Sequence, residues 1–211
     1  MTQGRFITLE GIEGAGKSTV ARLVRDSLRA RGLPVLMTRE PGGTPLAERV
    51  RQIVLDPGDE HMTAQAETLL MFAARSVHLD NLIRPALARG DWVVCDRFTD
   101  ATRAYQGGGR GVSLAWIEQL AAAIHGDLSP DCTLLLDLPV QLGLERAKVR
   151  AGDASADRFE SEREPFFERV RMAYLALARS EPERIHVVDA RAPLADVEQQ
   201  VAEALAPLVI T

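Results

Sequence analysis

Gly11, Gly14, Gly16, Lys17 and Ser18, within EGIEGAGKST, fit G-x-x-x-x-G-K-[ST] without a mismatch. Glycine accepts positive φ and has no Cβ, so the N–H groups of Ile12, Glu13, Gly14 and Ala15 can curl around a phosphate. A helix starting at Lys17 adds partial positive charge, worth about 0.3–1 kcal/mol to a nearby anion. Lys17 is expected to reach the β- and γ-phosphates of a nucleoside triphosphate, and the Ser18 hydroxyl, beside Thr19, to ligate Mg²⁺. Lys17 and Lys148 are the only lysines in an arginine-rich sequence. A slim ammonium fits between phosphate oxygens where a broad guanidinium would not.

A second set of cations, Arg39, Arg51, Arg75 and Arg97, lies at or beyond the ends of apolar runs. Together they suggest a second phosphate site facing the first. Phosphoryl transfer needs positioning and charge neutralisation more than a protein nucleophile, and such a pair of sites supplies both. A GTPase-type switch is excluded on residues. The sole asparagine, Asn81, is followed by Leu82, so Asn-Lys-x-Asp cannot occur, and no Asp has Gly three positions later. A scaffold that only stores nucleotide leaves the arginines unexplained.

The elements that must position these groups follow from the pattern. Residues 5–9, 34–38, 92–95, 133–136 and 185–188 are short apolar runs and predict strands. Helical periodicity fills 45–55, 63–89, 113–125, 140–150, 160–179 and 194–207, and residues 20–28 continue from the glycine loop. Alternating strands and helices imply a mostly parallel sheet covered on both faces, with ligands beyond the carboxyl ends of its strands. The chemistry is therefore expected in the stretches after each strand, including residues 96–111. Residues 150–158 (RAGDASADR) are small and polar with arginine at each end, and predict a lid over the nucleotide.

With 211 residues the chain suits one α/β domain, 1–211. The net charge of −5 argues against a general nucleic-acid binder, and no run approaches the ~18 apolar residues of a membrane span. The N-terminus enters a strand at once, unlike a signal peptide. Cys95 and Cys132 sit inside apolar runs, which points to buried thiols and a cytoplasmic protein.

EGIEGAGKST, TREPGGT, LLMFAAR, CDRFTDATRAYQGGGRG and VVDARAPL together resemble the thymidylate kinase family of bacterial type, along essentially the whole chain. The resemblance implies a P-loop NTPase fold, a five-stranded parallel sheet with helices on both faces, a mobile lid at about 146–160, and a homodimer. It implies transfer of the γ-phosphoryl of ATP to dTMP with Mg²⁺; another nucleoside monophosphate or deoxynucleoside kinase is the alternative. By the same resemblance, Arg97 and Arg51 grip the acceptor phosphate, Asp96 holds Mg²⁺ or its water, and Glu13 approaches the acceptor sugar and phosphate. Glu40 lines that pocket, Arg75 bonds thymine, Thr102 and Gln106 surround the base edge, and Tyr105 crowds the 2′ position. Relatives stack a phenylalanine four residues before the arginine, where this chain has Met71; Phe72 follows, and either can cover the base. The glycine loop contains no arginine, so the lid is expected to supply the catalytic cation. Candidates are Arg146, Lys148, Arg150 and Arg158, with Arg150 or Arg158 favoured. Arg146 is implied to stack on adenine, above a turn at 190–193 that includes Ala192.

Overall fold

In the computed structural model, which describes residues 4–58, 60–151, 158–159 and 162–209, five strands form one sheet. They are β1 (Phe6–Glu10), β2 (Val35–Arg39), β3 (Trp92–Asp96), β4 (Cys132–Asp137) and β5 (Ile185–Asp189). The order is β2-β3-β1-β4-β5 and every pairing is parallel. Each strand expected from the apolar runs is present. The three inner strands are nearly solvent-free, and residues such as Ile7, Leu9, Val94 and Leu134 each gain about 1.5–3 kcal/mol from burial.

Between the strands run α1 (Lys17–Ala30), α2 (Pro45–Leu55), α3 (Ala64–His78), α4 (Arg84–Ala88), α5 (Thr99–Thr102), α6 (Leu114–Ile124), α7 (Val140–Ala151), α8 (Glu164–Ser180) and α9 (Leu194–Val209). Thr44 and Thr63 cap α2 and α3 by accepting from Ala47 N and Ala66 N, and Pro45 occupies the first turn, where its missing N–H costs nothing. A π-helical turn, Leu79–Ile83, joins α3 to α4, so the long apolar pattern after residue 63 is one continuous rod. One core layer packs α1 and α9 against the sheet; another, under α8, gathers Phe166, Phe167, Val170 and Tyr174 with Tyr105 and Leu135.

The stretch after β3, to which the sequence pattern assigns no element, is helical: α5 runs into a second π segment, Arg103–Gly109. The reason lies in packing against α8. A Cβ on Gly108 would stand 2.6 Å from Ala173 Cβ, and one on Gly109 would stand 2.5 Å from the Phe166 ring. The glycines here allow two helices to touch rather than let the chain turn. Of the expected lid at 146–160, residues 152–157 and 160 lie outside the described residues.

Candidate active site

β1 and β3 are adjacent, and each ends in a chemical group. After β1 the chain turns through the glycine loop into α1, whose N-cap Gly16 is left-handed at φ 90°. Gly14 adopts φ 73° with its α-carbon against α7, and any Cβ there would collide with the Gly143 carbonyl. Lys17 Nζ donates to Gly11 O at 3.0 Å and Ile12 O at 2.9 Å, which holds the ammonium folded over the loop. Burial and the charge of Arg97 pull its pKa down to about 8. Ser18 stands exposed in the first turn of α1, with Thr19 beside it.

After β3, Arg97 is the one non-glycine residue with positive φ among the described residues, at 73°. Its N–H donates to Leu9 O at 2.9 Å, tying the end of β3 to β1. An arginine so placed costs about 1–2 kcal/mol of backbone strain, and such strain gathers at functional sites. Its guanidinium lies 4.6 Å over the Tyr105 ring and donates to Tyr105 Oη at 2.9 Å, Tyr174 Oη at 3.2 Å and Glu13 Oε1 at 3.0 Å. Burial holds both phenols protonated, so Tyr105 donates to Glu13 and Tyr174 to Glu10 Oε2 at 2.6 Å. Glu10, wholly buried, has its pKa pushed up to about 7 by burial and by Asp100.

A cleft of about 610 Å³, open to solvent, lies against Arg97. It is lined by Glu13, Glu40, Arg51, Arg75, Arg97, Thr102, Tyr105 and Gln106, all expected from the sequence, together with Met71, Phe98 and Phe159. Arg75, almost solvent-free on α3, donates to Glu40 at 2.7 Å, Phe98 O at 3.1 Å and Thr102 Oγ1 at 3.1 Å. Its Nη1 is buried without a hydrogen-bond partner among the described residues, a donor available to an acceptor. Glu40 also pairs with His78, so the buried carboxylate is compensated on both oxygens. Arg51 donates to Pro41 O at 3.1 Å.

Two expectations need correction. Phe72 does not line the cleft; it packs at 2% exposure with Ile117 and Ala121, its ring beneath the Arg75 guanidinium at 4.8 Å. Consecutive helix residues point about 100° apart, and the side facing the cleft falls to Met71. Arg39 is exposed and paired with Glu48 at 3.0 Å, outside the cleft.

Among the lid candidates, Arg146 donates to Ala190 O at 3.2 Å, beside the turn in which Ala192 N bonds Asp189 O. Lys148 and Arg150 lie exposed near the end of α7. Arg158 Nε donates to Val54 O at 2.9 Å, and its Nη2 lies 2.5 Å from Glu67 Oε2. Tyr174 and Glu67 were missed from the sequence. Tyr174 falls on the i, i+4 stripe Phe166–Val170–Tyr174–Ala178 and looks like any core residue of α8.

Asp96 Oδ1 is buried with no hydrogen-bond partner among the described residues. An orphaned carboxylate oxygen close enough to act on Lys17 suits a hard cation. Among those residues no cluster of three His, Cys, Asp or Glu could hold a metal by itself. A Mg²⁺ that relies on one or two protein oxygens plus phosphates and water needs none, so Asp96 and Ser18 fit that ion.

The thymidylate kinase family model matches residues 9–201. The chain is 56% identical over 207 residues to the thymidylate kinase of Pseudomonas fluorescens strain SBW25, covering 98% of this chain and 97% of that one. It is 60% identical over 195 residues to the thymidylate kinase of Pseudomonas syringae pv. syringae, covering 92% and 91%. The crystal structure of thymidylate kinase from Ehrlichia chaffeensis superimposes with a TM-score of 0.76 at 32% identity, over 96% of this chain and 98% of that one.

Proposed function

The chain belongs to the thymidylate kinase family, and from that premise we propose how its cleft divides the work. The reaction is transfer of the γ-phosphoryl group of ATP to dTMP, giving dTDP and ADP. The glycine loop, residues 11–19, holds the ATP phosphates, and Arg146 with the turn at Ala192 holds the adenine side. Arg97 and Arg51 grip the dTMP phosphate, which is already ionised, so no catalytic base is required. Glu13 and Tyr105 meet the sugar; Arg75, Thr102, Gln106 and Met71 surround the base; Glu40 keeps Arg75 aimed. Ser18 and Asp96 would hold Mg²⁺, which would supply charge neutralisation for the transferring phosphates. Arg150 or Arg158 supplies the cation that the glycine loop lacks.

The observation that carries this reading is the hydrogen bond from Arg97 N to Leu9 O. It sets the acceptor-phosphate arginine beside the strand that leads into the ATP loop. We further propose that residues 1–211 act as one domain and pair as a homodimer through the α2–α3 side, where Ile53 and Leu69 are about half exposed. No helix among the described residues is long and apolar enough to cross a membrane. Two free, buried cysteines suit the expected cytoplasmic setting.

The test is a coupled ADP-release assay with ATP and Mg²⁺ against dTMP, dUMP, UMP, CMP, AMP, GMP and thymidine. dTMP should be the best acceptor. Absent turnover of dTMP, or a purine nucleotide preferred over it, overturns the reading. Light scattering checks the dimer.

A further inference from the structure

Glu67 is charged, wholly buried, and belongs to neither phosphate pocket. It sits two turns ahead of Arg75 on α3 and gathers groups from two other segments, the π-helical stretch that carries Gln106 and Arg110 and the chain at Arg158. Its Oε1 accepts from Gln106 Nε2 at 2.7 Å. Its Oε2 faces Arg158 Nη2 at 2.5 Å and Arg110 Nε at 3.4 Å, and Arg110 also binds Glu162. With two guanidinium groups against it, Glu67 is a carboxylate, which can only accept hydrogen bonds. A neutral amide facing it has one choice: Gln106 must turn its NH₂ toward Glu67. The carbonyl end of Gln106 is then the end left for a partner in the cleft, alongside the donor Nη1 of Arg75.

We infer that Glu67 is a positioning residue that fixes the amide orientation of Gln106 and thereby the base selectivity of the acceptor site. The inference rests on the assignment of this cleft to dTMP. Thymine offers an acceptor at O4 and a donor at N3; cytosine offers a donor and an acceptor in the same places. An arginine donor beside a fixed carbonyl matches the first pattern and opposes the second. A free amide would flip and serve either base. Arg110 and Arg158 have a part too, since they set opposite charge against a buried carboxylate. The chain returning at Arg158 is docked by the same group that orients the base reader.

The experiment compares Glu67→Gln with the parent enzyme, using dTMP and dCMP as acceptors. Glutamine keeps the shape but can itself donate, so the Gln106 amide is no longer forced. The ratio of kcat/KM for dTMP over dCMP should fall about tenfold or more, with KM for dTMP raised and KM for ATP within about twofold. In a Gln106→Ala background, Glu67→Gln should cause no further loss of that ratio. A ratio within about twofold of the parent, or losses that add in full, overturns the proposal. A merely structural role would lower both substrates' kcat/KM together, and that outcome also counts against it. A third readout does not require the variant to fold. In the ¹⁵N spectrum of the parent enzyme, the Gln106 side-chain amide should show one proton slow to exchange; two fast-exchanging protons overturn the assignment. If the parent enzyme fails to phosphorylate dTMP at all, it is the function that falls, a result distinct from these.

Discussion

Arg97→Ala is the substitution that bears most directly on the proposed division of the cleft. Alanine at φ 73° carries the same left-handed backbone cost as arginine, so the variant isolates the side chain. Glu13 keeps the hydrogen bond from the Tyr105 hydroxyl, which lies 2.9 and 2.8 Å from its two carboxylate oxygens, so the wall of the pocket stays in place. What disappears is the guanidinium fork. Two charge-assisted bonds to the acceptor phosphate are worth about 1.5–3 kcal/mol each, about 3–6 kcal/mol together. At 1.36 kcal/mol per decade this is a loss of about 10²–10⁴ in kcat/KM for dTMP. ATP should bind as before. The charge of Arg97 depresses Lys17, so its removal leaves the loop lysine more firmly protonated. Coupled ADP release against dTMP gives the first quantity, and titration with a fluorescent ATP analogue gives the second. A variant whose kcat/KM for dTMP stays within about fivefold of the parent would show that the acceptor phosphate is held elsewhere.

Phe72→Ala should cost about 3–5 kcal/mol of stability by opening a cavity beside Ile117 while leaving KM for dTMP little changed; Met71→Ala should raise that KM with a small loss of stability. Thermal melts and dTMP titrations of the two variants decide it, and the opposite pattern would put Phe72 back in the cleft. Glu10 has its pKa raised from 4.5 to about 7, so between these values the folded protein binds more protons than the unfolded chain. Its contribution to stability is therefore full below pH 4.5 and is lost as pH rises to 7. Glu10→Gln can still accept from Phe98 N and should gain in melting temperature relative to the parent as pH rises across that window. Parallel melting curves from pH 4.5 to 7 would show that Glu10 does not titrate there. Arg150→Ala and Arg158→Ala should lower kcat more than ATP binding, and an unchanged kcat in both variants and in the double variant removes the lid as the source of the transferring cation.

The architecture was legible because its carriers are local. Residues 92–95 are a short, β-branched apolar run that reads as a buried strand, and the glycines at 11, 14 and 16, with Lys17 and Ser18, define a phosphate loop by type and spacing alone. Arg97, Arg75 and Tyr105 could be placed because each belongs to a short motif after a strand or on a helix. Three features could not be found this way, each because its cause lies far along the chain. Gly108 and Gly109 look like part of a turn until α8, some 60 residues later, is packed onto them. Met71 and Phe72 differ by one step on α3, and only the position of α6 decides which faces the cleft. Glu67 looks like a surface acid of an amphipathic helix. Its burial depends on Gln106, Arg110 and Arg158, none of which is near it in sequence.

The bond from Arg97 N to Leu9 O has a further consequence. Neighbouring strands are spaced about 4.8 Å apart by main-chain geometry, whatever side chains they carry. The main-chain positions from which the glycine loop and Arg97 depart are thus gauged by peptide units rather than by the surrounding side chains. Drift in the hydrophobic layers can loosen or tighten the protein as a whole without shifting these two departure points relative to one another.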